Sequence, residues 1–330
     1  KYQDFNTRNL LTWSSKFNDF ATDLRLAYIT GHYNYFEDIN REGFTGGGVK
    51  SFIAKYNLDY TFSKNSMATV ILDYTKNNGE GDGIGASTRQ IGGVSLFYKY
   101  NVSDRWNTEA SIRKEISDVY KSPVLFSVGS KYTFTDFYQL KLNFSRNYRI
   151  PTFNDLYWAG SGNKDLKPEN AYQLEVGNDF KFKQLHFSVT AYGSKIDDMI
   201  RWLPTNAGNW SPINTDKVTI YGAEVLLGWS KKLNNHYFDL SGTYAYTVSK
   251  DERTQKQLFY VPYHKLTGSL SHNYKKFASY YQLLYTGEVF TTSDNNPKNI
   301  LDGFMVSNIG ADYNFSKNNT FKVGVKVANL

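Results

Sequence analysis

The residues of this chain with the means to hold another molecule concentrate between Arg149 and Trp210. Tyr157, Trp158, Trp202 and Trp210 stand there with Arg149, Asp155, Asp197, Asp198 and Arg201 among them. Flat apolar walls with a few fixed polar groups suit non-covalent binding of an amphipathic ligand. Tyr263 extends the aromatic set farther along the chain, in company with Phe259, Tyr260 and Phe290. The charges around the tryptophans carry both signs. Lys164, Lys167, Arg201 and Lys217 face off against Asp155, Asp165, Asp197, Asp198 and Asp216. A strongly anionic ligand calls for a concentrated Arg/Lys lining, so this balance favours a neutral or mixed-sign one.

Other candidates have weaker patterns. Gly79-Glu-Gly-Asp-Gly-Ile-Gly85 has the glycine density of a phosphate loop. Such a loop needs a strand before it and a helix after it. A strand pattern follows here, and a flexible surface loop is expected. Glu80, Asp82, Glu37 and Asp38 offer oxygens to a hard cation such as calcium, which takes about six to eight of them. Solvated loop charge is the plainer reading. His32, His186, His236, His264 and His272 form no His-x-x-x-His spacing, and there is no Gly-x-Ser-x-Gly elbow. No enzyme is expected. The chain has no cysteine, which excludes disulfides and thiolate metal sites.

The elements that must position these residues are strands. Phe52, Ala54, Tyr56, Leu58, Tyr60 and Phe62 alternate with Ile53, Lys55, Asn57, Asp59 and Thr61. The same period of two recurs at Tyr138–Ser145, Leu185–Ala191 and Phe321–Val327, and marks a sheet with one apolar face. About sixteen such strands are expected by this pattern. They run roughly over 4–16, 20–31, 49–62, 66–76, 89–101, 105–116, 124–134, 138–148, 170–181, 185–196, 217–230, 237–248, 263–274, 277–288, 303–315 and 320–330. Short turns, as at Ser63-Lys-Asn, Leu233-Asn-Asn and Ser316-Lys-Asn, alternate with longer loops at 32–48, 77–88, 117–123, 149–169, 197–216, 249–262 and 289–302. Short turns on one side and long loops on the other describe an outer-membrane barrel. Tyr60, Phe62, Phe134, Tyr138, Phe180, Tyr237, Phe238, Tyr274, Phe277, Phe315 and Phe321 flank the short turns and read as an aromatic girdle.

Composition agrees. The 330 residues are 40% hydrophobic and 17% aromatic, with 27 Tyr and 23 Phe. A wet-lumened barrel needs apolar residues on one face only. No apolar run is long enough for a membrane-spanning helix. The net charge of +7 is spread along strands and turns. That distribution suits anionic lipid headgroups and argues against nucleic acid.

Several motifs follow one another in a telling order: Arg149-x-Pro151 with Leu156-Tyr157, then Gly162-Asn-Lys-Asp-Leu-Lys-Pro-Glu169, Glu175-x-Gly177 and Tyr221-Gly-Ala-Glu224. This order resembles the TonB-dependent outer-membrane receptors, and within them the vitamin B12 receptor branch. The end of the chain, Phe321–Leu330, resembles that branch's next-to-last strand. The resemblance implies a transmembrane antiparallel up-and-down β-barrel of about 22 strands around a plug. On that reading, residues 1–330 are an incomplete barrel, without the plug and the final strand. It also implies the outer membrane of a Gram-negative bacterium, TonB-dependent uptake of cobalamin or a related corrinoid, and TonB as partner through the plug. A surface lipoprotein capping the barrel and calcium in the outer loops are further implied possibilities. A receptor for an iron–siderophore or haem complex is the alternative, and a passive porin a second one.

Overall fold

The computed structural model describes residues 1–38, 42–205, 208–315 and 321–330. Among them one antiparallel sheet follows the chain strand by strand. Its members are β1 (Tyr2–Phe17), β2 (Phe20–Tyr35), β3 (Thr45–Ser63), β4 (Ser66–Gly81), β5 (Ser87–Ser103), β6 (Trp106–Ser117), β7 (Val124–Thr135), β8 (Tyr138–Arg149), β9 (Glu169–Lys181), β10 (Leu185–Pro204), β11 (Trp210–Leu233), β12 (His236–Asp251), β13 (His264–Tyr274) and β14 (Phe277–Thr286). A two-stranded ribbon, β15 (Val289–Phe290) with β16 (Ile300–Leu301), stands apart before β17 (Phe304–Asn314) and β18 (Lys322–Ala328) complete the sheet. The main sheet has 16 strands, the expected number. The expected turn at Ser316–Asn318 lies outside the described residues. Among the described residues no helix is long and apolar enough to cross a membrane, which leaves crossing by strands open.

The strands outgrow their expected limits on the long-loop side. β11 has 24 residues and β10 has 20. A tilted strand crosses a bilayer in about 9–11 residues. The expected loop at 197–216 is therefore mostly ladder, a polar extension of β10 and β11. Period-two hydrophobicity does not mark it, because it runs past the length needed to cross the bilayer and only single residues such as Ile200 and Pro212 are buried there.

The chain divides into two compact units. The first comprises Lys1–Ser130, Phe144–Tyr172 and Ile196–Asp216, the second Lys131–Asn143, Gln173–Lys195 and Lys217–Leu330. In the first, strand register builds apolar rows such as Tyr56↔Leu72↔Val94 and Leu58↔Val70↔Leu96. Most of their side chains are exposed, as a lipid-facing surface requires. The opposite face carries Lys55↔Asp73↔Gly93. There Arg113 Nη2 reaches Asp73 Oδ1 at 2.8 Å and Arg113 Nε reaches Glu115 at 3.0 Å. Gly93 lies beneath that pair, where a Cβ would come within 2.4 Å of the Arg113 guanidinium. A charge on the lipid face near the midplane costs about 2–4 kcal/mol for Arg or Lys. Pairing on the inner face avoids that cost.

In the second unit the aromatic ladder at the short turns is real. Phe134, Tyr138 and Phe180 stack with centroids 5.3 and 4.9 Å apart, and Phe238 stacks on His272 at 4.6 Å. Tyr237 does not belong to it. It pairs with Asn273 while Phe238 pairs with His272, so the two neighbours face opposite ways. The inner face pairs Lys141 with Asp179 and Lys322 with Asp312. On the loop side a neutral clasp joins two connections. Gln257 N donates to Asn295 Oδ1 at 2.7 Å, and Asn295 Nδ2 returns a bond to the Gln257 carbonyl at 2.9 Å.

Candidate ligand site at the outer corner

The site begins with Pro151, which cannot donate to a ladder and ends β8. Thr152 then caps a five-residue helix, α1 (Phe153–Tyr157). Asp155 N donates to Thr152 Oγ1 at 3.1 Å and Thr152 N donates to Asp155 Oδ2 at 2.8 Å. This reciprocal capping satisfies two donors that a helix start leaves orphaned. Asp155 does more. Its Oδ1 accepts the indole N–H of Trp202 at 2.9 Å, and its carbonyl accepts Asn163 N at 2.8 Å. The side chain is buried, and Arg149 Nη1 stands 3.9 Å away.

Glu169 fastens the other end of the corner. Its carboxylate takes a forked pair of hydrogen bonds from Arg149 and one from Ile200 N at 2.7 Å. The bond to Glu169 holds the Arg149 pKa above its ordinary value. Leu156, Leu166 and Ile200 form a small core, with Tyr157 packed on it. Asn214 ties the corner to the β10–β11 extension, accepting Lys167 N at 2.9 Å and donating to the Lys167 and Asp198 carbonyls at 2.9 and 2.7 Å. The Arg-x-Pro and Leu-x-Pro-Glu segments are thus a fastening.

This fastening presents Trp158. The ring is 44% exposed and lies across Gly83, where a Cβ would sit 3.2 Å from it. Phe153 packs likewise against Gly79 at 2.9 Å, and Ala159 N donates to the Gly83 carbonyl at 2.6 Å. The glycine-rich stretch is therefore not the flexible surface loop expected. Its glycines at 79, 81 and 83 are a smooth seat for two aromatic rings, and Gly81 closes on Gly46 and Gly47. Between seat and corner lies a cavity of about 830 Å³. Trp158, Phe153 and Tyr33 give it aromatic walls; Asn6, His32, Asn154 and Asp82 give it polar groups. This matches the composition of a small-molecule site.

The structure brings Arg149, Asp155, Tyr157, Trp158 and Trp202 together in one corner. Arg149, Asp155 and Trp202 spend their polar groups inside it. Arg201 is half-buried on β10, and Trp210 opens β11 with its ring exposed. Tyr263 lies in the second unit, stacked on Tyr246 with centroids 6.4 Å apart. Burial raises its hydroxyl pKa. The calcium candidates do not assemble. Asp82 accepts from Gly46 N at 2.7 Å beside Glu80 in the large cavity, whereas Glu37 and Asp38 line another hollow. Among the described residues no group of three or more acidic or histidine side chains could hold a metal. Sequence reasoning does not single out Phe153 or the alternating glycines as site residues, because the rings that cover Gly79 and Gly83 lie far along the chain.

The whole of residues 1–330 matches the family model for the β-barrel of TonB-dependent receptor-like proteins. The chain belongs to that family. Its fold is a transmembrane antiparallel β-barrel of the outer-membrane type, and the family is one of transport receptors in Gram-negative outer membranes. The vitamin B12 transporter BtuB of Photobacterium profundum is 32% identical over 245 residues, 72% of this chain and 38% of that protein. The BtuB of a Vibrio vulnificus strain is 36% identical over 118 residues, 36% of this chain and 19% of that protein. The chain thus spans less than half the length of these curated relatives. Among solved structures, the Pseudomonas aeruginosa ferric enterobactin receptor mutant Q482A in complex with enterobactin matches with a TM-score of 0.84 at 15% identity, covering 100% of this chain and 57% of that one. The siderophore receptor PirA of Acinetobacter baumannii gives 0.78 at 16%, covering 100% and 58%. At such identities these likenesses speak to the fold alone.

Proposed function

We propose that residues 1–330 are the larger part of the barrel of a receptor that takes up cobalamin or a related corrinoid across the outer membrane, driven by TonB. The observation that carries this is the 32% identity to a B12 transporter over 72% of the chain. The remainder of the receptor would supply the plug, the TonB contact and the other strands of a barrel of about 22. Trp158 and Phe153 are the ligand-facing walls, with Trp210 and Arg201 as outer contacts. Arg149, Asp155, Tyr157 and Trp202 position that surface. The corrinoid, a large amphipathic ring bearing neutral amides, suits aromatic walls with mixed-sign polar groups. An iron–siderophore receptor is the second reading.

Equilibrium binding to the full-length receptor tests the assignment, with cobalamin set against ferric enterobactin and haem. Saturable cobalamin binding in the nanomolar range is expected, about −12 kcal/mol. Tight ferric-siderophore binding with no corrinoid binding moves the assignment to the second reading. Size-selective passage with no saturable site makes the protein a porin.

A further inference from the structure

Arg89 is a buried cation with no ion-paired anion among the described residues. It is 7% exposed, its Nε is closed off from solvent without a partner, and no hydrogen bond or ion pair from its guanidinium is found among the described residues. Its close contact is aromatic: the guanidinium carbon lies 4.9 Å from the centre of the Phe153 ring. The nearby carboxylates are engaged elsewhere. Asp118 accepts from Gln90 N at 3.2 Å, and Asp155 holds Thr152 and Trp202. A buried charge without a counter-charge is strongly disfavoured, and arginine is otherwise the residue suited to forked recognition of phosphate.

Register fixes where the group faces. Arg89 pairs with Asn77, and the period of two puts it on the face of Gly93, which carries the Asp73–Arg113 pair. It is therefore on the polar inner face, behind the Phe153 ring that walls the large cavity. The nitrogen closed off from solvent without a partner is Nε.

We propose that Arg89 reads an oxyanion of the ligand, and that in a corrinoid this is the phosphodiester of the nucleotide loop. The inference rests on the corrinoid reading and adds a specificity-determining contact to it. Cobinamide provides the test, because it keeps the corrin ring and amides but lacks the phosphodiester. Affinities for cobalamin and cobinamide would be measured with the full-length receptor, Arg89→Gln and Arg89→Lys. Hydrogen bonds to charged groups set the expected loss for cobalamin in Arg89→Gln at about tenfold to a hundredfold, with cobinamide unchanged. Arg89→Lys keeps the charge without the fork, and a smaller loss confined to cobalamin is expected. Should Arg89→Gln fail to assemble in the membrane, that lysine variant decides alone. Equal losses for the two corrinoids, or none, would overturn the proposal and leave Arg89 a packing residue. If the unaltered receptor binds neither corrinoid, the receptor reading fails and takes this contact with it.

Discussion

The corner of the first unit is fastened by charge, whereas the outer connections of the second are fastened by neutral amides. In the corner, Asp155 and Glu169 are largely buried carboxylates that together take backbone N–H groups of Thr152 and Ile200, the Trp202 indole and the Arg149 guanidinium. In the clasp, Gln257 and Asn295 exchange amide bonds, and Gln257 Oε1 also takes Ser249 N at 2.8 Å. Two carboxylates of the second unit lie nearer solvent, Asp294 exposed and Glu252 half-buried. The difference teaches where one deletion does most harm. Removing a buried ionic acceptor strands several donors and a cation, while removing one amide strands neutral groups.

The largest expected effect follows from that asymmetry. Asp155→Ala leaves the Thr152 N–H and the Trp202 indole without their acceptor, and about 2–4 kcal/mol of local stability is expected to go. Hydrogen exchange over residues 150–165 reads it. Protection equal to the parent's would break the comparison. Glu169→Gln keeps an acceptor for Ile200 N but loses the charge against Arg149, at an expected cost of about 1–2 kcal/mol. Faster exchange near Ile200 together with the Arg149 strand end is the sign to look for.

On the neutral side, Asn295→Ala is expected to cost about 1 kcal/mol. It should loosen residues 249–262 and 289–302 together and leave 150–165 as it was. Loosening of only one connection would mean that Gln257 and Asn295 do not bind the two into one piece. The smallest effect is one of pH. The hydrogen bond from Thr219, helped by Lys195, holds the Glu252 carboxyl below its ordinary value of 4.5, and the Thr292 hydroxyl does the same for Asp294. A lowered folded pKa means stabilisation that is complete above 4.5 and is lost as pH falls through the lower folded value. Acidification from about pH 5 to about pH 3 should therefore loosen the 252–257 and 291–296 backbone slightly. Exchange that tightens on acidification would reverse the sign.

Sequence alone carries the barrel further than the site. Rows such as Tyr56, Leu58 and Tyr60 alternate strictly because one face meets lipid, and such strands are legible to within a few residues. The extension of β10 and β11 packs on the corner through single residues such as Ile200 and Trp202 rather than along one lipid-facing row, so no period announces it. The corner's helix does leave a trace, since Thr152-x-x-Asp155 is a capping pattern directly after Pro151. Asp155 and Arg149 stand out in the sequence as charged groups beside tryptophans. That their polar atoms are turned inward depends on contacts between distant parts of the chain, such as Asp155 with Trp202. Gly79, Gly81 and Gly83 look loose in the sequence because the rings that cover the seat, Phe153 and Trp158, lie far along the chain.

On the proposed function, the fastened corner holds Trp158 as a wall of the ligand cavity. The direct measurement is the cobalamin dissociation constant of the full-length receptor and of its Trp158→Ala variant, with thermal stability followed in parallel. A loss of about tenfold or more is expected, the scale of a buried aromatic anchor, with the melting temperature unchanged because Trp158 lies outside the Leu156–Leu166–Ile200 core. An unaltered dissociation constant would contradict it.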